Sequence, residues 1–171
     1  HNEQQHRDSM ALKTIRSIVN LRKEIESGVT TLRVLGEHEY LDLDCKRAVE
    51  EGIIAGPRLL CAGLGIRAVH GHGFMGTPFT GIDEVRRAVR ENIAKGVDVI
   101  KIFITGGIFD ADFRVDTYFY TEEEIKAVVE EAHRVGRPVA AHAMGGPGLL
   151  LALKSGVDTI EHAYYLTDEA I

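Results

Sequence analysis

The chain has 171 residues, 44% of them hydrophobic and 27% charged, with 20 basic against 26 acidic side chains and a formal net charge of -6. That composition is globular, is long enough to bury a sizeable core, and holds no apolar run near the roughly 20 residues a membrane helix needs. The acidic balance argues against nucleic acid or an anionic membrane as partner.

Asp8 and Ser9 are N-cap candidates for a helix on Leu12, Ile15, Ile18, Val19 and Ile25, which Gly28 ends. Val29 to Leu35 reads as a strand. Leu41 to Glu51 reads as a helix stopped by Gly52, and Arg58 to Ala62 as the next strand. Ile82 to Lys95 predicts a helix ended by Gly96, followed by a strand over Val97 to Ile104. Thr121 caps a helix through Arg134, with Glu124 placed for a capping box. Pro138 to Ala143 follows as a strand. A short helix from Pro147 to Lys154 ends at Gly156, Val157 to Ala163 is the last strand, and another helix is expected from Thr167 onward.

The pattern is a βα alternation with five nearly continuous apolar strands, as in parallel sheets covered on both faces. Two architectures fit: an open flavodoxin-like sheet, or the middle of a (β/α)8 barrel, which in full needs eight strands and about 200–250 residues. Cys45 and Cys61 have no CxxC or disulfide spacing, so a reducing, cytoplasmic setting is the default. His1 to Met10 lacks a signal-peptide apolar region, and position 1 is not Met, so a signal on a missing N-terminus stays open.

Three residues break the apolar strands near their C-terminal ends, where parallel α/β folds carry their active sites: Lys101, His142 and His162. A lysine inside a doubly covered strand is disfavoured unless paired, with Asp98 or Glu161 as candidate partners, or unless it has chemistry to do. The chemistry open to it is a Schiff base, a catalytic base, or carboxylation by CO2 to a carbamate whose oxygens can ligate metal. His142 and His162 stand at corresponding positions of consecutive strands. Inward side chains at one level of strands about 4.8 Å apart can share a metal ion, and neutral imidazole suits zinc. His70-Gly71-His72 lies in a glycine-rich loop, where histidines touch substrate more often than metal. His1, His6, His38 and His133 stand in polar or helical contexts and read as solvated. Thr105-Gly106-Gly107 offers close backbone approach to a ligand, and Phe109 to Tyr120 reads as an aromatic substrate wall or lid.

The run from Val99 through Lys101 to Gly107, then Ala141-His142-Ala143 and Ile160-Glu161-His162-Ala163, resembles the amidohydrolase superfamily. It is closest to the imidazolonepropionase-related branch with its Xaa-Pro dipeptidases (prolidases) and carboxypeptidases. Gly28 to Arg33, Gly56 to Leu60 and Gly71-His72-Gly73 fit the same branch. The resemblance implies a (β/α)8 TIM barrel, with the five strands as barrel strands two to six and residues 1–171 as the central part of the domain. It implies that a carboxylated Lys101 bridges two divalent metals, usually zinc, and that His142 and His162 ligate the more exposed one. His72 matches a histidine of the substrate pocket. Tyr165, in an HxxY pattern with His162, matches a tyrosine that meets the substrate carboxylate in the peptidases.

The family's HxH metal pair and its strand-eight aspartate have no counterpart in these residues. The chain is therefore expected to be an internal piece of a longer protein. The function so implied is metal-dependent amide hydrolysis of small peptides with a free C-terminal carboxylate, by a dipeptidase or carboxypeptidase. The rival readings are a non-catalytic flavodoxin-like binding module and an inactive fragment lacking the rest of the metal site. A small-molecule or peptide substrate is the expected partner, and open barrel edges are compatible with a homo-oligomer.

Overall fold

The computed structural model describes residues 8–73, 78–108, 110 and 113–171. In chain order it has α1 (Met10–Glu26), β1 (Thr31–Val34), α2 (Leu41–Glu50), β2 (Arg58–Cys61) and α3 (Ile82–Lys95). Then come β3 (Ile100–Phe103), α4 (Glu122–His133), β4 (Val139–Gly145), α5 (Gly146–Ser155) and β5 (Thr159–Tyr165). The helix expected from Thr167 is a single 3-10 turn, Asp168–Ala170.

The helix ends follow local chemistry. Ser9 caps α1, its hydroxyl accepting from the Leu12 N–H at 3.3 Å, while Asp8 pairs with Arg16. At α4 both halves of the capping box form: Thr121 Oγ1 accepts from the Glu124 N–H, and Glu124 Oε2 from the Thr121 N–H. Oε1 of Glu124 also accepts from the Gly81 N–H at 2.7 Å, which ties the start of α4 to that of α3. On α1 the predicted apolar stripe is not the packed face. Leu12, Ile15, Ile18 and Val19 are exposed, while Leu21 is buried in the cluster of Leu41, Cys45, Leu59 and Cys61, with Met10 packed against it.

All paired strands are parallel, β1 with β2 and β3 with β4 and β5. The seam between β2 and β3 is closed by the segment that follows β2. Asp98 N–H donates to Cys61 O, Ile66 N–H to Lys101 O, and Phe103 N–H to Ile66 O, each at 2.8 Å. Neighbours in space are therefore neighbours in sequence, β1-β2-β3-β4-β5. A flavodoxin-like sheet has order 2-1-3-4-5, with β1 beside β3, so the open-sheet reading is wrong. The sheet also curls. In a flat sheet β1 and β5 would lie roughly 19 Å apart, yet Arg33 on β1 bonds Thr159 and Glu161 on β5 at 3.1 and 2.8 Å.

The curl separates two faces. Ile100, Ile102, Val139 and Ala141 point outward into the main core with α3 and α4, built around Val85, Val89, Ile125 and Val128. Val99 and Ala140 point inward with Ala62 and Leu35. Strand alternation puts Lys101 and His142 on that inward face as well. Cys45 and Cys61 are both free and buried. No described helix is long and apolar enough to cross a membrane.

Candidate active site

Lys101 is only 2% exposed, with Nζ 5.0 Å from the centre of the Phe103 ring, so Val99, Lys101 and Phe103 share the inward face. Neither carboxylate that the sequence offered as its partner is available. Asp98 holds Lys46 at 2.8 Å and accepts from the Cys61 N–H, while Glu161 is paired with Arg33. Burial lowers the Lys101 pKa to about 7, the Arg33 charge acting the same way and Glu161 opposing it. An amine so placed is far more often neutral than an exposed lysine.

His142 is 4% exposed and stands at the end of the β3–β4 pairing, opposite Phe103. Its Nε2–H donates to the Gly106 carbonyl at 3.0 Å, so in the neutral ring Nδ1 keeps the free lone pair. Burial, then the neighbouring His72, Lys101 and His162, push its pKa down to about 3 against the Gly106 bond. The loop that supplies this carbonyl is itself fixed. Thr105 Oγ1 accepts from the Met144 N–H at 2.9 Å, and Gly106 N–H donates to Thr117 O at 2.8 Å.

The two strand histidines are not at corresponding positions. Glu161 is opposite His142, and His162 is opposite Ala143, with a shift in register before Gly145 and Tyr165. Simple alternation would send His162 outward. Instead His162 and Ala163 adopt left-handed backbone conformations, φ 78° and 49°, and the His162 ring meets that of His142 edge to face at 4.8 Å. Such conformations are costly for residues with a Cβ and recur at functional sites. Burial foremost, then Lys101, lowers the His162 pKa.

His72 joins the group, its ring 4.4 Å from that of His142 and 5.7 Å from that of Phe103. Its Nδ1 bonds Asp110 Oδ1 at 3.0 Å, and Asp110 Oδ2 accepts from the Gly107 N–H at 2.6 Å. The approach of His72 to Gly107 is so close that any Cβ at position 107 would overlap the imidazole. Tyr165 is the last residue of β5 rather than a residue beyond it. Its backbone and Cβ press on Gly145, and the residue is 56% exposed. Tyr164, 71% exposed, stacks on His162 at 6.2 Å. His133 is not simply solvated, since Nε2 bonds Asp158 at 2.7 Å far from this cluster.

His1, His6 and the loop residues Phe109, Ala111 and Asp112 lie outside the described residues. The sequence reading did not single out Arg33, Asp110 or Tyr164. Arg33 did carry a signal, a charge within an apolar strand, but its partners lie 126 and 128 positions away.

Among the described residues no three His, Cys, Asp or Glu side chains are arranged to hold a metal ion. The donor set here is of another kind: two imidazoles kept neutral by burial, and an amine that ligates only once it is no longer an ammonium. That set would suit a divalent metal if oxygen ligands completed it, as a carboxylated lysine would supply.

The arrangement is thus a curled parallel α/β sheet with an embedded lysine and convergent histidines at the C-terminal ends of its strands. The family model that describes such proteins, the amidohydrolase family, matches residues 16–170, and the chain belongs to that family. Its fold is accordingly part of a TIM barrel. Among curated proteins it is similar to ochratoxinase from Aspergillus niger, 30% identical over 85% of this chain and 35% of that protein. Among solved structures it is similar to a Xaa-Pro dipeptidase with methionine bound in the active site. That match has TM-score 0.88 and 32% identity over 95% of this chain and 44% of the other. A prolidase complexed with N-methylphosphonate-L-proline matches with TM-score 0.89 and 31% identity over the same shares. The chain therefore spans less than half the length of each.

Proposed function

We propose that the full-length protein is a metal-dependent hydrolase of amide bonds, a dipeptidase or carboxypeptidase acting on small peptides with a free C-terminal carboxylate. Residues 1–171 form the central part of its barrel domain. The observation that carries this reading is the convergence of Lys101, His142 and His162 on one inward face, the last of them through a left-handed backbone. The family and the prolidase and ochratoxinase relatives support the same chemistry.

Lys101 Nζ, held near neutrality in a dry interior, forms an N–C bond to CO2 and releases one proton, giving an anionic carbamate with two oxygens. Those oxygens, His142 through Nδ1, and His162 would hold the divalent metal, two zinc ions per complete site. Such a metal would supply a water of lowered pKa and a polarised amide carbonyl. His72, kept in one orientation by Asp110, faces the acyl part of the substrate. Tyr165 donates its hydroxyl to the substrate carboxylate, a neutral donor that needs no buried cation.

The test is metal analysis of the purified full-length protein together with hydrolysis of a dipeptide panel. Lys101→Ala is expected to lose bridged metal and activity, with part of the activity returning on addition of short carboxylic acids. Full metal content in the unsupplemented variant would remove the reading.

A further inference from the structure

Arg33, an exposed residue of β1, reaches across the concave side of the sheet to β5. Its Nη2–H donates to Glu161 Oε1 at 2.8 Å and its Nη1–H to Thr159 Oγ1 at 3.1 Å. The Thr159 hydroxyl in turn donates to the same Glu161 oxygen at 2.8 Å, closing a three-membered network. The register brings this network level with the lysine. Lys101 is opposite Ala140, and Ala140 is opposite Thr159, so only a methyl group separates Lys101 from Thr159 along that row. Glu161 stands two residues further along β5, on the face that Lys101 shares, and makes its ion pair with Arg33.

We propose that Arg33 is a positioning residue that keeps the Glu161 carboxylate engaged, and so leaves the Lys101 amine without a carboxylate partner. The inference rests on the reading of Lys101 as the carboxylated, metal-bridging lysine. The ordinary fate of a buried lysine is an ion pair with the nearest acid, and breaking such a pair is strongly unfavourable. A carboxylate drawn onto Nζ would occupy the space that the carbamate carbon and oxygens require. Guanidinium suits the task because it is permanently charged and its planar fork serves two acceptors at once, here a carboxylate and a hydroxyl. An ammonium at position 33 would lack that fork.

The experiment compares wild type, Arg33→Ala, Glu161→Gln and the double variant in the full-length protein, by crystal structure and by metal content. In Arg33→Ala, Glu161 should move to within about 4 Å of Lys101 Nζ, and metal retention should fall about 10- to 100-fold, as for other groups that orient ligands. Glu161→Gln should keep its metal. The double variant should recover the metal that Arg33→Ala loses, because no carboxylate is left to capture the amine. A double variant as depleted as Arg33→Ala, or a Glu161 that stays clear of Lys101 in the Arg33→Ala crystals, would overturn the proposal and make Arg33 a structural brace. Were Arg33→Ala to unfold through its unpaired acid, Arg33→Gln tests the same displacement while retaining a donor. A wild type without metal would refute the functional reading, yet the position of Glu161 in the variant crystals would still decide this inference.

Discussion

The imidazoles of His142 and His162 meet edge to face, 4.8 Å between ring centres, although it is Ala143 that pairs with His162 in the register of β4 and β5. The left-handed turn of the chain at His162 and Ala163 corrects the one-residue offset. Ala163→Gly should therefore be neutral or stabilising, by up to about 1 kcal/mol, because glycine adopts that conformation freely. Ala163→Val should cost roughly 1–3 kcal/mol and also loosen metal retention, because relaxation of the turn swings His162 outward. Denaturant melts and metal analysis of the two variants check this pair of outcomes.

Lys101 is expected to work against the stability of the metal-free fold. Its amine is buried without a carboxylate partner, with a pKa near 7 instead of the usual 10.5. Lys101→Met should raise the metal-free protein's stability at neutral pH by on the order of 3 kcal/mol while abolishing bridged metal. Unfolding curves measured in chelator would show the gain. A loss of stability would mean that the amine has a partner that compensates its burial.

His142 sets an acid limit on the metal-free fold. Its pKa is about 3 when folded against 6.5 ordinarily. Between those values the unfolded chain holds the extra proton, so stability is fully present above about pH 6.5, declines as pH falls, and levels off below about pH 3. The expected loss across the window is on the order of 4 kcal/mol, and His142→Gln should flatten it. Denaturation midpoints at stepped pH, wild type against variant, measure the difference.

Gly107 leaves room for His72, and a Cβ there would overlap the ring. Gly107→Ala should push His72 off Asp110, raising KM with a smaller change in kcat and none in metal content. Steady-state kinetics with metal analysis would show that split. An unchanged KM would remove His72 from substrate binding.

Tyr165 and Tyr164 present a choice that kinetics can make, since both are exposed and only Tyr164 stacks on His162. Tyr165→Phe should weaken dipeptides with a free carboxylate by about 1–3 kcal/mol, and their C-terminal amides much less. Equal losses on acid and amide, or a larger effect from Tyr164→Phe on the acid alone, would assign the carboxylate contact elsewhere.

What depended on near neighbours could be read from residue order: the βα alternation, the Thr121–Glu124 capping box, and the inward side shared by Val99, Lys101 and Phe103. Each follows from a two-residue or 3.6-residue period or from a contact three residues away. The order of the strands did not follow, because the same alternation suits a flavodoxin-like sheet as well as a barrel; only pairing of β2 with β3 through Ile66 and Asp98 separates them. Nor did the inward turn of His162, since nothing in the side chains of His162 and Ala163 favours a positive φ, and the surrounding sheet has to impose it. The Arg33–Glu161 pair is the extreme case. Nothing in the residue order pairs these two charges, and they become partners only because the sheet curls far enough to bring its first and fifth strands within reach of one side chain.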